Sequence, residues 1–221
     1  MSNAQPQTQN SIFNLFNGTK GADNWLKWEM ACNLILATYF CYFAAVHGSA
    51  FFSSFRISTL LLLMKVSADI FFHLVRKPAK QITRDYWAWF IGIAGAYTIL
   101  FFQPVAGNDM LIAILLQLFG MCLQFAGMLS LNRSIGFVAA NRGIKTGGMY
   151  KLVRHPLYFA YIVSFLGYTI NQFSVWNLAV YVIMIVCLYL RTRCEEAVLR
   201  QDPEYQAYAE KVKYRMIPGL F

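Results

Sequence analysis

MLIAILLQLFGMCLQFAGMLSL, residues 110–131, runs for 22 residues without an Asp, Glu, Lys or Arg. Wound as an α-helix at about 1.5 Å per residue, it reaches across the roughly 30 Å hydrocarbon core of a bilayer. The rest of the chain fits that reading. Of 221 residues, 58% are hydrophobic and only 13% charged, whereas soluble domains carry about a quarter charged residues. That is too little charge to cover a soluble globule, so lipid is the expected outer solvent. An aromatic content of 17% supplies both packing groups and interfacial anchors.

Working outward from this stretch, similar apolar runs cover residues 25–48, 51–75 and 86–102 on its N-terminal side. The second is closed by Arg76, Lys77, Pro78 and Lys80, the third by Gln103-Pro104 and the turn residues Gly107-Asn108-Asp109. On the C-terminal side, residues 156–170 form a short apolar helix and residues 175–190 a second, joined by a turn at Asn171-Gln172. The expected fold is therefore all-α: a polytopic membrane bundle of four spans, a C-terminal helical hairpin and a cytoplasmic amphipathic helix. Its parts are a flexible tail (residues 1–24), four transmembrane helices (25–131) and a C-terminal module (132–221). Residues 1–19 carry no charge and lack the basic start and apolar stretch of a signal peptide, so insertion falls to the first span.

Charge placement sets the orientation. With the N-terminus cytoplasmic, Lys20, Lys27, Arg76, Lys77, Lys80, Arg84, Arg133, Arg142, Lys145, Lys151, Arg154 and everything from Arg191 onward fall inside. The opposite loops, residues 47–54, 103–109 and 171–174, contain no Lys or Arg, and only Arg56 lies near an outer end. Both termini are then cytoplasmic by the positive-inside rule. The net charge of +9 is accounted for by these loops rather than by a nucleic-acid partner. Five cysteines, Cys32, Cys41, Cys122, Cys187 and Cys194, sit mostly in apolar runs with no C-x-x-C pair or histidine cluster, so they read as packed thiols and no metal is implied.

Three places could carry chemistry. Lys65 and Asp69 share a helix face inside the second span and can pair. An ionisable pair at membrane depth is a site candidate, and a structural pair facing the bundle interior is the other reading. The second place is Thr146-Gly147-Gly148-Met149-Tyr150-Lys151-Leu152-Val153-Arg154-His155-Pro156-Leu157-Tyr158. Its glycines allow a tight turn, and Pro156 suits the first position of a helix. His155 then stands at the cap, where free N–H groups and Arg154 favour an anion. Headgroup anchoring explains the same residues equally well. The third is Arg191-Thr192-Arg193-Cys194-Glu195-Glu196, with Arg191 and Glu195 one turn apart. Its carboxylates can face a sulfonium or ammonium while the arginines hold a carboxylate, and an ordinary solvated salt bridge is again the alternative. Beyond it, Asp202-Pro203-Glu204 opens a short amphipathic helix, with Tyr205, Tyr208 and Val212 on one face, lying on the membrane or over the site. Residues 215–221 form a non-helical tail.

Taken in order, a glycine-tyrosine turn, R-H-P-x-Y opening a hairpin, R-x-x-x-E-E, a Y-x-x-Y helix and a terminal I-P-G segment resemble the isoprenylcysteine carboxyl methyltransferase family. Its C-terminal module is shared with the phospholipid N-methyltransferases. The resemblance covers about residues 131–221, and the short N-terminal half is closer to the prokaryotic members, which implies an inner-membrane location. It implies an S-adenosylmethionine site formed by Arg142, Gly143, Ile144, Lys145, Tyr150, His155, Pro156, Leu157, Tyr158 and Glu195, with Arg191 as the catalytic arginine facing the acceptor. Asn132-Arg133-Ser134 departs from the family's glycine-containing segment. The implied acceptor is lipidic or prenylated, with a carboxylate first and a phospholipid amine or small thiol as alternatives. An ionised carboxylate needs no general base; an amine does, and Glu196 or His155 are the candidates. Two rivals of other kinds are a nicotinamide-dependent membrane reductase, against which R-x-x-x-E-E argues, and a transporter using Lys65–Asp69. The transporter lacks an internal repeat.

Overall fold

The computed structural model describes residues 19–74, 81–83, 85–134 and 140–220. The tail residues before 19, the basic closure at Arg76, Lys77, Pro78 and Lys80, and Arg84 lie outside the described residues, as does the Arg133 side chain. Among the described residues seven α-helices follow in order: α1 (Thr19–Ser54), α2 (Ile57–Leu74), α3 (Tyr86–Thr98), α4 (Leu111–Leu131), α5 (Pro156–Asn171), α6 (Val175–Leu199) and α7 (Pro203–Lys211). The described residues also include a two-residue antiparallel bridge, Gln81–Ile82 against Ala140–Asn141. Among the described residues, α4 and α6 are long and apolar enough to cross a membrane, and residues Tyr86–Phe101 form a shorter apolar helical stretch.

The chain divides into two compact units, Met1–Tyr42 and Phe43–Phe221. In the first, the outer part of α1 exposes Leu34, Ile35, Tyr39 and Tyr42, and Thr38 Oγ1 donates to the Leu34 carbonyl (3.0 Å). The second unit holds every residue discussed below.

Helix boundaries differ from the sequence reading: α1 begins at Thr19, inside the stretch read as tail, and α6 runs on to Leu199. Residues 47–54 were expected as an outer loop and residue 51 as the start of the second span, but α1 continues to Ser54 and α2 begins at Ile57. No proline interrupts Phe51 to Ser54, so the helix has no local reason to stop there. The break falls at Phe55, whose φ of 49° is left-handed. The first turn of α2 is capped from a distant part of the chain. Asp109 Oδ2 accepts from the Ser58 amide (2.8 Å), and Asp109 Oδ1 accepts from Ser58 Oγ (2.6 Å).

Asp109 also pairs with buried Arg56 (2.8 Å). The Arg56 guanidinium donates further to the Val105 and Asn171 carbonyls and to Gln172 Oε1. Burial would raise the Asp109 carboxyl, but the two Ser58 bonds and the Arg56 charge outweigh it and hold it below its ordinary value. Asn177 fastens the same end of the bundle: its amide donates to the Gln103 carbonyl (2.8 Å) and accepts from the Gln103 amide (3.0 Å). The loop before α4 and the turn between α5 and α6 are thus tied together with few loose backbone groups, as a water-poor setting requires.

The tightest helix pair is α4 with α5, and glycine makes it so. A Cβ on Gly120 would stand 2.4 Å from the Ser164 amide nitrogen, and one on Gly167 would stand 2.5 Å from the Ala113 carbonyl oxygen. Small residues let the two backbones touch, the usual means of helix association where lipid supplies no hydrophobic drive. This contact fixes the depth of α5 and so of the side chains at its start. Gly120→Ala has only backbone to push against and should cost about 1–3 kcal/mol, read as a lower thermal midpoint of the purified protein. An unchanged midpoint would show that the two helices can part at no cost.

Candidate functional site

The turn before α5 is shaped by Gly148. Its φ is 57°, and a Cβ there would collide with Ser130 Oγ at the end of α4. That hydroxyl accepts from the Met149 amide (3.2 Å). A short 3-10 turn, Gly148–Lys151, follows and delivers Tyr150 into a buried aromatic cluster with Tyr205 and Tyr208. Tyr208 donates to the Tyr150 carbonyl (2.6 Å), and Ile144 packs on the same cluster. The amphipathic helix α7, capped by Asp202 with Pro203 in its first turn, is therefore packed against the polar module through both tyrosines. Burial, reinforced by the Glu195 charge, pushes the Tyr150 phenol well above its ordinary range. Tyr208 is pushed up to about 12, chiefly by burial. Both stay protonated near neutrality.

Pro156 opens α5, with His155 at the cap position. The α6 helix is 25 residues long, about 37 Å at 1.5 Å per residue. Its apolar run ends at Leu190, and the charged residues begin at Arg191. Here two adjacent carboxylates take different partners, because successive helix positions point about 100° apart. Glu195 Oε1 accepts from Tyr158 OH (2.5 Å) and from Arg191 Nε (3.0 Å). Glu195 Oε2 lies 3.6 Å from His155 Nδ1, and the His155 ring stacks parallel to Tyr158 with centroids 5.4 Å apart. The Arg191 guanidinium carbon is 5.4 Å from the Tyr158 ring centre.

Glu196 faces the other way and is buried. Arg154 Nε donates to Oε1 (2.7 Å) and Arg215 Nε to Oε2 (3.0 Å), while Arg200 stands 3.6 Å away. His155 Nε2 is 3.5 Å from Oε1, at the edge of hydrogen-bond range, and has no hydrogen-bond partner. Burial alone would raise the Glu196 carboxyl; the neighbouring His155 and Arg154 groups reverse this and hold it well below the carboxylate range. A carboxylate so stabilised is a poor proton acceptor. Glu196 is thus a structural anion, which removes it as a general-base candidate.

The anchor of that cluster is the C-terminal tail, whose place was not legible from local sequence. The Arg154 amide donates to the Tyr214 carbonyl (3.0 Å) and the His155 amide to the Arg215 carbonyl (2.7 Å). Arg154 Nη1 donates to the carbonyls of Val212 and Lys213 (2.7 and 2.9 Å), and buried Met216 accepts from Thr192. The two amides just before α5 are therefore taken by the tail.

Of the expected site residues, the structure gathers His155, Tyr158, Arg191 and Glu195 at bonding distance, with Tyr150 in the adjoining aromatic cluster. Pro156 is a helix start. The Leu157 side chain packs in the core against Met128 and over Gly127. Arg142, Gly143 and Lys145 lie on the partly exposed loop that also carries Ile144, and Gly143 adopts φ 96° with open space around it. Arg154 and Arg215, the clamp on Glu196, were not among the expected site residues.

Residues 108–204, just under half of the chain, match the family model of phospholipid methyltransferases. The match spans α4, the glycine turn, the hairpin and both carboxylates, and it supports the methyltransferase superfamily. Together with two membrane-length helices it points to a membrane methyltransferase. No curated protein matches the chain.

Breaking a buried ion pair by removing one partner costs about 3–5 kcal/mol. Glu196→Gln should loosen the tail, so that hydrogen exchange at the Arg154 and His155 amides speeds by at least about 100-fold. Exchange as slow as in the unaltered protein would show that Glu196 does not hold the tail.

Proposed function

We propose that the chain is an S-adenosylmethionine-dependent methyltransferase whose acceptor is lipidic or prenylated and enters from the membrane. The observation that carries this reading is the convergence on Glu195 of Tyr158, His155 and Arg191, at the point where an apolar helix ends. The residues suit the cofactor. Glu195 offers an anion next to aromatic rings for a sulfonium, His155 Nε2 is a buried polar atom without a partner, and Gly143 and Gly147 leave open space beside the backbone. Tyr150, His155, Tyr158 and Glu195 would hold the cofactor, with the loop of Arg142, Gly143, Ile144 and Lys145 beside it. S-adenosylmethionine supplies an electrophilic methyl group.

The work left to the protein is alignment and exclusion of water. Arg191 is buried, so its guanidinium acts in a low-dielectric setting where a planar two-pronged contact to a carboxylate is strong. Glu195 balances its charge, so the pair is neutral until a charged acceptor arrives. A carboxylate acceptor is already ionised and needs no base, which favours an isoprenylcysteine-like O-methylation. The family match favours a second reading, methylation of a phospholipid amine. There a proton must leave, and with Glu196 removed as a base, His155 is the group in reach to take it. A multi-pass arrangement with both termini cytoplasmic puts the polar module on the side where a water-soluble cofactor is available.

Lysine at position 191 keeps the charge but loses the planar fork. Arg191→Lys should lower single-turnover methyl transfer to a farnesylated thioether carboxylate by about 100- to 1000-fold, equivalent to roughly 2–4 kcal/mol, while S-adenosylhomocysteine affinity by calorimetry stays nearly unchanged. Full turnover in this variant would reduce Arg191 to a headgroup anchor and end the carboxylate model. Lost cofactor affinity would instead move the arginine into the cofactor site.

A further inference from the structure

The charges buried inside the bundle answer one another. Lys65 and Asp69 lie 3.3 Å apart, and Asp69 Oδ1 accepts from Gln124 Nε2 of α4 (3.0 Å) and from the Tyr161 hydroxyl of α5 (2.7 Å). The lysines of the polar module differ. Lys151, Lys211 and Lys213 are exposed, and among the described residues no carboxylate stands within ion-pair distance of any of them. Two of the three precede an exposed apolar or aromatic side chain: Leu152 is 60% exposed and Tyr214 44%.

The same pattern recurs in two segments far apart in sequence. Before α5, Tyr150 is buried, Lys151 and Leu152 face outward, and Val153, Arg154 and His155 are buried again. In the tail, Val212 packs on the tyrosine cluster, Lys213 and Tyr214 face outward, and Met216 is buried. One arginine ties the two segments together. The Arg154 amide donates to the Tyr214 carbonyl (3.0 Å) and Arg154 Nη1 to the Lys213 carbonyl (2.9 Å), two residues after Leu152. Their height in the bundle is set by His155, which caps α5 and stands 3.6 Å from Glu195, one turn past the start of the charged residues of α6. The two lysine-led pairs thus flank the level at which apolar helix gives way to charge, the level that headgroups occupy in a bilayer.

We propose that Lys151-Leu152 and Lys213-Tyr214 form a docking surface for anionic phospholipids of the adjoining leaflet, and that this contact holds the tail on the start of α5. A lysine beside an apolar side chain suits that boundary, because the apolar group enters the acyl region while the ammonium stays among the phosphates. The exposed apolar faces of α4 and α6 already commit the chain to lipid, so the leaflet is the anionic surface these lysines meet. Each lysine near such a surface strengthens binding about fivefold. The consequence reaches the site through bonds already described. The tail supplies the carbonyls that hold the Arg154 and His155 amides, and it supplies Arg215, which pairs with Glu196 at 3.0 Å. Lipid that fixes Lys213 and Tyr214 therefore fixes the residues bonded to them, and leaflet charge regulates how firmly His155 is held. This docking needs neither a cofactor nor an acceptor.

Amide hydrogen exchange of the full chain reads the docking. The protein is held either in nanodiscs of phosphatidylcholine or in nanodiscs of phosphatidylcholine mixed with phosphatidylglycerol. The Arg154 and His155 amides should exchange at least about tenfold more slowly in the anionic discs, since a ligand of the closed tail suppresses its opening. The difference should shrink at high salt. Lys151→Gln combined with Lys213→Gln should abolish it while leaving exchange in the neutral discs within about twofold. Leu152→Ser combined with Tyr214→Ser should reduce it as well. Equal exchange of the unaltered protein in the two discs overturns the proposal, and so does a difference that survives the double lysine substitution. Slowing by polyglutamate added to neutral discs, with none from phosphatidylglycerol, would assign the lysines to an acidic protein and overturn the lipid assignment. S-adenosylhomocysteine binding, measured in the same discs, keeps the two readings apart. A chain that shows lipid-dependent exchange without binding it loses the methyltransferase reading and keeps the docking surface.

Discussion

The arrangement of the polar module depends on one buried carboxylate. Glu196 receives Arg154 from the turn before α5, Arg215 from the tail and Arg200 from its own helix. The turn before α5 and the tail, far apart in sequence, therefore meet α6 on a single charge. An arginine buried without that partner would leave an uncompensated charge, which is why the cluster behaves as a unit. Its consequence for chemistry is positional. Arg154 and His155 are consecutive, so fixing Arg154 fixes the start of α5 and with it His155 and Tyr158. Glu195 and Glu196 are consecutive too, so holding Glu196 directs Glu195 toward Arg191. The carboxylate that does no chemistry decides where the other one points.

Much of this was legible in the sequence wherever the signal was local. Apolar runs gave the helices, Pro156 and Asp202-Pro203 gave two of their starts, and the one-turn spacing of Arg191 and Glu195 gave their pairing. What escaped was carried by contacts between distant residues. The end of α1 was misplaced because its cause is Asp109, some fifty positions away, capping α2. The tail was read as non-helical, but its place was not legible because its hydrogen bonds are to Arg154 and His155. Tyr161 looked like one aromatic among many in an apolar helix, and only its bond to Asp69 distinguishes it. Glu196 looked as suited to accept a proton as His155, and only the surrounding cations show otherwise.

The polar groups of the bundle divide into two sets with different logic. At the end holding Arg56, Asp109, Gln172 and Asn177, side chains close off backbone groups of turns and helix ends, the task that a water-poor environment imposes on every break in a helix. Along α5, by contrast, Lys65, Asp69, Gln124 and Tyr161 sit against intact helices that have no backbone groups in need of partners. Groups of the first kind are explained by the fold. Groups of the second kind cost stability, and the need to close off backbone groups does not explain them.

The central claim is that the cluster around Glu195 holds a sulfonium cofactor, and its most direct test is ligand-induced stabilisation of the purified full-length protein. A ligand that binds only the folded state raises the unfolding midpoint in proportion to the logarithm of its concentration above Kd. The account predicts that S-adenosylhomocysteine raises the midpoint in a saturable manner, that NADPH does not, and that the rise disappears in Glu195→Gln. A rise with NADPH and none with S-adenosylhomocysteine would contradict it and return the chain to the membrane reductases.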